Sequence, residues 1–332
     1  MKKEKILIVG AGLSGLYSAV LLQDRYDVEV LEARERTGGR ILAMGGHDMG
    51  PSWVWGHQKN ILQLIRALGL ELFPQYTQGL SVYDAPQGVQ QFKAPEGALS
   101  YRIKGGVSQL IAALEKRLHA PLRLNEKVVS LSQTEEKISV KTVSSSFKAD
   151  KVIITLPPRL ALESIAYSPA LPSSLASQLQ HIPTWMGYAA KCVVEYSEAF
   201  WREEGLSGFG VSHLGPLGEI HDACTQHKAA LFGFVHSTAT FDNFEEAVIA
   251  QLTRLYGKKA ANPLAVYMAD WKKEQFTSTL LDRMPLREHP SYGFEATHME
   301  GKVLFAGTES ALSDGGYLEG AVLSAMKLAK SL

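Results

Sequence analysis

The stretch that most narrows the fold is KILIVGAGLSGLYSAVLLQDRYDVEVLEARERTGGR, residues 5–40. It opens with a short, β-branched apolar run, Ile6–Val9, of the kind that forms a buried parallel strand. Gly10, Gly12 and Gly15 follow in the order GxGxxG. Leu16, Ala19, Val20 and Leu21 then recur at helical spacing, and Val28–Leu31 reads as a second strand. Each glycine has its own physical job. Gly10 permits the tight turn out of the strand, Gly12 leaves bare backbone for a pyrophosphate to approach, and Gly15 lets the helix lie close on the strand. The helix start offers free N–H groups and a partial positive charge to phosphates. Glu32, 20 residues after Gly12, can accept hydrogen bonds from a ribose hydroxyl. A GxGxxG alone is a weak signal. Between a strand and a helix, with an acid at that distance, it predicts a dinucleotide-binding βαβ unit.

A second glycine pair narrows the dinucleotide. Ala33 and Arg34 follow Glu32, and Gly38, Gly39 and Arg40 follow them. EAR…GGR resembles the second half of the flavin-binding signature of FAD-dependent amine oxidases. That resemblance implies FAD contacts from Gly10, Ala11, Gly12, Leu13, Ser14, Gly15, Glu32, Ala33, Arg34, Gly39 and Arg40. The two arginines suit charge-assisted bonds to the diphosphate. Near the other end, the apolar run Val303–Ala306 leads into Gly307, Thr308 and Glu309, then GGYLEGA at 315–321 and a last helix. This resembles the AGTE…GYxEGA signature of the same family. It implies flavin contacts from Gly307, Thr308, Glu309, Tyr317, Leu318 and Ala321, with the helix N-terminus stabilising an anionic reduced flavin. The loop Asp48, Gly50, Pro51, Ser52, Trp53 is similar to one that the family lays against the flavin, and Trp271 to a tryptophan packed near its ring. Val128 matches a valine beside the adenine, or else is an ordinary β-meander residue.

Lys191 sits at the position of the family's lysine, which holds a water against flavin N5. Its neighbours Ala189, Ala190, Cys192, Val193 and Val194 make an apolar strand in which a lysine is costly to bury. Strand alternation by itself puts Lys191 on an exposed face; the flanking Phe200–Trp201 pair favours the functional reading. Tyr317 matches one of two tyrosines that cage the substrate amine. Counting from Trp271, Leu280 stands where some relatives carry the cysteine that links FAD covalently, and Leu281 where they carry the second tyrosine. Non-covalent FAD and a half-built cage at Leu281 are therefore expected. The family's long helical insertion is replaced by a linker at roughly 93–100, which implies a more open site that a homo-oligomer or partner subunit covers.

Helical patterns lie at 60–68, after Gly105–Gly106, after Pro157–Pro158, at 173–180 and at 244–256. Strand patterns lie near 79–100, 122–131, 136–143, 151–155, 219–224, 229–235 and 264–270. The histidines at 213, 221, 227 and 236 match no ligand spacing, and no metal site is expected. A formal net charge of zero gives no bulk case for nucleic acid or an anionic membrane. Two cysteines, Cys192 and Cys224, form no disulfide framework and fit a reducing compartment. No apolar run reaches the length of a membrane span, and the first strand starts too near Met1 for a leader, so a cytoplasmic protein is expected.

The expected fold is α/β: a Rossmann-like FAD-binding domain (1–77, 101–180, 286–332) with an inserted α+β substrate domain (78–100, 181–285), the two-domain arrangement of amine oxidases. The resemblance implies oxidation of an amine-like small molecule by hydride transfer to flavin, with molecular oxygen as acceptor and hydrogen peroxide as product. Alternatives are an FAD-dependent desaturase, a renalase-like dihydronicotinamide oxidase, or a non-catalytic FAD-binding subunit.

Overall fold

The computed structural model describes residues 3–95, 97–236 and 242–332. Glu96, within the stretch read as strands at 79–100, lies outside the described residues.

The opening stretch folds as a βαβ unit: β1 (Lys5–Val9), α1 (Leu13–Leu22) and β2 (Asp27–Leu31), with the strands parallel. They belong to a six-stranded sheet in the order Leu122–Arg123, β2, β1, Lys151–Ile154, Val303–Phe305, Thr297–His298. Only the last edge pairing is antiparallel. Both faces are covered, which is why the central runs Ile6–Val9, Val152–Ile154 and Val303–Phe305 are apolar. Ile6 and Ile8 pack on one side with α1, the helix Ser108–Arg117 and the C-terminal helix Leu318–Ser331. Leu7 and Val9 point the other way, toward Leu131, Ile138 and Val140 of a four-stranded sheet. The apolar faces read from the sequence in the helices Lys59–Ala67 and Ser108–Arg117 are buried: Ile61, Leu64 and Ile65 in the first, Leu110, Ile111 and Leu114 in the second.

A seven-stranded sheet gathers chain from two distant stretches. Its order is Ala265–Asp270, Ala190–Tyr196, Ala229–Val235, Leu217–Asp222, Leu206–Ser212, Leu80–Ala85, Gly88–Phe92. The helix Phe244–Tyr256 covers one face, and Gly257 ends it at φ +89°. Among the described residues no helix is long and apolar enough to cross a membrane, and no group of three or more His, Cys, Asp or Glu is placed to hold a metal ion.

Several elements depart from the sequence reading. The strand expected over 122–131 is two strands in two sheets, Leu122–Arg123 and Val128–Gln133. Asn125 turns the chain between them at φ +59°, and its N–H donates to Arg34 O (2.9 Å) while that of Glu126 donates to Glu32 O (2.8 Å). Asparagine tolerates this left-handed geometry better than most residues. The strands Ser146–Ala149, Ala166–Ser168 and Leu206–Ser212 carry weak or no alternation, and pairing makes them strands: the first in a hairpin with Ile138–Thr142, the other two with the distant strands Val128–Gln133 and Leu80–Ala85.

Candidate active site

The turn after β1 shows why its glycines are needed. Gly10 adopts φ +104°, and a side chain there would meet Thr155 Oγ1 at 2.7 Å. A Cβ on Gly15 would fall 2.0 Å from Gly10 O, so helix and turn could not touch as they do. Gly12 is different. Its backbone is extended and nothing lies within 4 Å of where its Cβ would be, so bare backbone at the head of α1 faces open space. The second glycine pair packs against this turn. Gly38 N–H donates to Ala11 O (2.8 Å), and a Cβ on Gly39 would come within 3.3 Å of Gly12 Cα.

Glu32 is 3% exposed at the end of β2. One carboxylate oxygen accepts from the N–H of Ala11 (2.7 Å), the other from that of Arg34 (3.0 Å). Arg34 reaches on to Thr277 Oγ1 (2.9 Å). Arg40 Nη1 pairs with Glu309 Oε1 at 2.8 Å. Glu309 is fully buried, and its Oε2 has no hydrogen-bond partner in the chain. A buried group of this kind is normally satisfied, so it marks a place for a polar ligand.

The C-terminal motif is stitched together by its own side chains. Thr308 Oγ1 donates to Tyr317 O (2.9 Å) and accepts from Gly316 N–H (3.0 Å). Ser14 Oγ donates to Ala306 O, tying α1 to the strand that leads into the motif. Glu319 accepts from Asn60 and Ile61 N–H and so closes the start of the helix Lys59–Ala67.

Lys191 enters from the seven-stranded sheet and is 2% exposed, so simple strand alternation does not describe it. Its Nζ donates to Ser52 Oγ (2.6 Å) and Gly50 O (3.1 Å) and sits 4.1 Å from the centre of the Phe232 ring. Burial pushes this ammonium down from its usual 10.5 to about 7; the nearby Asp48 carboxylate opposes the shift and Arg102 adds to it. Trp271 is buried against the same loop, with Nε1 donating to Met49 O (3.1 Å).

These groups surround one cavity of about 340 Å³. Its wall includes Gly10, Gly12, Leu13, Ser14, Gly15, Glu32, Arg34, Gly39 and Arg40 from the first motif. Gly50, Pro51, Ser52, Trp53, Lys191 and Trp271 come from the middle of the chain, and Thr308, Tyr317, Leu318 and Ala321 from the end. Ala33 and Val128 line a smaller adjoining hollow that shares Gly10, Glu32 and Arg34 with it. Ala11, Gly307 and Glu309 lie just behind the wall: Ala11 holds Glu32, Gly307 starts the turn through Thr308, and Glu309 pairs with Arg40.

A cavity walled by glycine-bared backbone, a helix start, paired buried charges and a buried lysine among aromatic rings suits a flavin dinucleotide. The family model described as Flavin containing amine oxidoreductase matches residues 13–96 and 81–332. The chain belongs to this family. It is a flavin-containing oxidoreductase, and oxidation of amines is the family's activity. A Dictyostelium discoideum protein named "Probable flavin-containing monoamine oxidase A" is 30% identical, over 98% of this chain and 97% of its own length. Amine oxidase [flavin-containing] B of Mus musculus is 25% identical over 99% of this chain and 86% of its own. The fold is similar to that of a putrescine oxidase bound to putrescine (TM-score 0.84, 22% identity, covering 100% of this chain and 99% of that one). It is also similar to cyclohexylamine oxidase from Brevibacterium oxydans (TM-score 0.83, 20% identity, 99% and 98%). The Dictyostelium alignment runs to 444 positions against 332 residues here, so at least 112 positions face gaps in this chain. The two family-model matches overlap at 81–96, beside the short linker where the insertion was expected to be missing.

One predicted residue lies elsewhere. Leu281 is 50% exposed and does not line the cavity; Leu280 is 72% exposed. Thr279 and Asp282 close a capping box over this turn, and Arg159 holds Asp282 (2.7 Å) and Leu281 O (3.1 Å), which turns the two leucines outward. An ungapped count from Trp271 could not register that turn. Sequence reading also missed Trp55, Trp185, Met186, Phe234, Phe276 and Thr277 in the wall. Trp55 carries a usable signal: it follows Trp53 by two residues where the chain enters the short strand Val54–Trp55, and the two rings lie 6.3 Å apart. The loop holding Trp185 and Met186 has no pattern that announces it.

Proposed function

We propose that this chain binds FAD non-covalently and oxidises an amine-like small molecule with molecular oxygen as electron acceptor. The observation that carries the reading is that one cavity is walled by the GxGxxG turn, Arg40, Lys191 and Tyr317 together. The non-covalent part is supported by the cysteines: Cys192 and Cys224 are buried, and neither lines the cavity. On this reading residues 1–77, 101–180 and 286–332 form the FAD-binding unit, and 78–100 and 181–285 the substrate unit.

Gly12 and the start of α1 would receive the diphosphate, Glu32 the ribose, and Arg40 with Glu309 the groups between them and the ring. The space at Gly12, the Arg40 guanidinium on the cavity wall and the unpartnered Glu309 Oε2 fit such a guest. FAD held there supplies a two-electron acceptor for the α-hydride of the amine, with imine and hydrogen peroxide as the products after reoxidation. Lys191, shifted to about 7, can hold or release a proton at Nζ near neutral pH. Tyr317 offers ring surface to the substrate nitrogen, a contact worth about 0.5–2 kcal/mol for a cation. The C-terminal helix begins at Leu318 on the cavity wall, and its N-terminal partial charge favours negative charge developing there. The rings of Trp53, Trp55, Trp185 and Phe234 on the wall would limit water at the reacting groups and strengthen each of these effects.

The test is direct. Purified protein is expected to be yellow, to release FAD on acid precipitation, and to be bleached anaerobically by an amine and recoloured by air with formation of peroxide. A colourless chain that refuses added FAD, or a flavin reduced by dihydronicotinamides but by no amine, overturns the proposal.

A further inference from the structure

Rings from three separate stretches gather at Tyr317. Trp55 meets it edge-on, with centroids 5.6 Å apart and planes at 80°. Trp185 lies 6.4 Å away at 58°. His289 is stacked on it at 5.0 Å with 6° between the planes, and its Nε2 is within hydrogen-bond distance of Gly315 O (2.9 Å). His289 therefore backs Tyr317 from outside the cavity, while Tyr317, Trp55 and Trp185 form its wall. Trp53 and Phe234 continue that wall toward Lys191.

The charges on the wall are few and mostly committed. Glu32 accepts from Ala11 and Arg34, Arg34 lies between Glu32 and Glu274, and Arg40 faces Glu309. Lys191 is held by Ser52 and Gly50. Among the described residues no carboxylate lines the wall beside Trp55 and Trp185; the one whose charge acts on Tyr317, Asp314, is taken up by Gln58 Nε2 (3.1 Å) and His57 Nε2 (3.4 Å), and both arginines of the wall are paired with glutamates. A second charge carried into such a pocket would lose its water and gain no partner, which is a heavy penalty. A hydrocarbon group would instead bury its surface on the rings.

We infer that Trp55 and Trp185 are the specificity-determining residues, and that with Tyr317 they select a monoamine whose remainder is an uncharged hydrocarbon group, against diamines and amino acids. The inference rests on the FAD-dependent amine oxidation proposed above. Leu281, turned to solvent, takes no part in it.

The experiment uses the FAD-loaded full chain and follows flavin absorbance anaerobically with benzylamine, putrescine and L-leucine. Benzylamine is expected to exceed each of the others by at least about a hundredfold in reduction rate over dissociation constant. Trp55→Ala and Trp185→Ala are each expected to weaken benzylamine roughly tenfold or more while FAD content is unchanged, with Trp→Phe at either position restoring most of the loss. Binding is read without turnover from the flavin difference spectrum given by 2-phenylpropan-2-amine, which has no α-hydrogen to lose. Its dissociation constant should rise in the Ala variants in parallel. A flavin bleached equally well by putrescine or L-leucine, or Ala variants that leave both the preference and the analogue's affinity unmoved, overturns this inference alone. A chain without FAD, or a flavin that no amine reduces, overturns the reading beneath it as well.

Discussion

Lys191 Nζ donates to Ser52 Oγ across 2.6 Å, joining the seven-stranded sheet to the loop that follows Asp48–Gly50. The contact holds a buried ammonium on the cavity wall and ties together two stretches 139 residues apart in the chain. Its partners are a hydroxyl and a carbonyl, so the charge is solvated by dipoles and not neutralised by a directly bonded carboxylate.

Replacing this lysine should separate chemistry from cofactor binding. Lys191→Met is expected to slow flavin reduction or reoxidation by about a hundredfold or more, the scale of a lost proton-transfer group. FAD should stay bound, because Lys191 bonds to Ser52 and Gly50 and not to the GxGxxG turn or Glu32. Stopped-flow traces of the two half-reactions are the measurement; unchanged rates in both would remove Lys191 from the site.

The same residue predicts a pH dependence of stability. Its folded value is about 7 and its ordinary value 10.5, so the unfolded chain binds more protons between those limits. Stability therefore rises with pH across that window, and below it the full burden of the buried ammonium is present. Lys191→Met should be the more stable protein at pH 6, by on the order of 3–5 kcal/mol. Denaturant melts of both apoproteins should show that gap closing toward pH 10.5. A gap independent of pH would mean that Lys191 does not titrate as described.

Asp48 tunes this ionisation. It is 5% exposed; Oδ1 accepts from Val107 N–H (2.8 Å) and Oδ2 has no partner. Burial pushes its carboxyl up, while Lys191 and Arg102 pull it down. Asp48→Asn removes the charge that favours the Lys191 ammonium, so the ionisation near 7 in the flavin-reduction profile should move to lower pH. A shift to higher pH, or none, would count against the coupling.

Two glycines of one motif should fail differently. Gly12→Ala meets no atom within 4 Å and needs no unusual backbone angle, so the apoprotein should melt within about 0.5 kcal/mol of wild type. FAD affinity should nevertheless fall at least tenfold. Gly15→Ala places a methyl group 2.0 Å from Gly10 O and should destabilise the apoprotein itself by roughly 1–3 kcal/mol. Calorimetry of the apoproteins and titration with FAD distinguish the two.

Glu32→Ala should weaken FAD retention and also leave the buried Ala11 N–H without its acceptor, at about 1–3 kcal/mol of stability. A variant that purifies fully loaded and melts like wild type would argue against both roles.

Much of this protein is determined locally. The β-branched run before Gly10, the glycine spacing and the acid at position 32 lead to one βαβ unit because each satisfies a steric or hydrogen-bonding demand within about 30 residues. The C-terminal motif is equally self-contained, since Thr308 bonds to Gly316 and Tyr317. What tertiary structure alone decided depends on partners far away in the chain. Alternation could not tell that Lys191 would be buried, because the loop at Gly50–Ser52 covers it. Counting could not tell that Leu281 would face solvent, because Arg159 and Asp282 set that turn. Nor does any local pattern bring Trp55, Trp185 and His289 to Tyr317. Those rings come from segments whose only common property is the place where the sheets and helices deliver them.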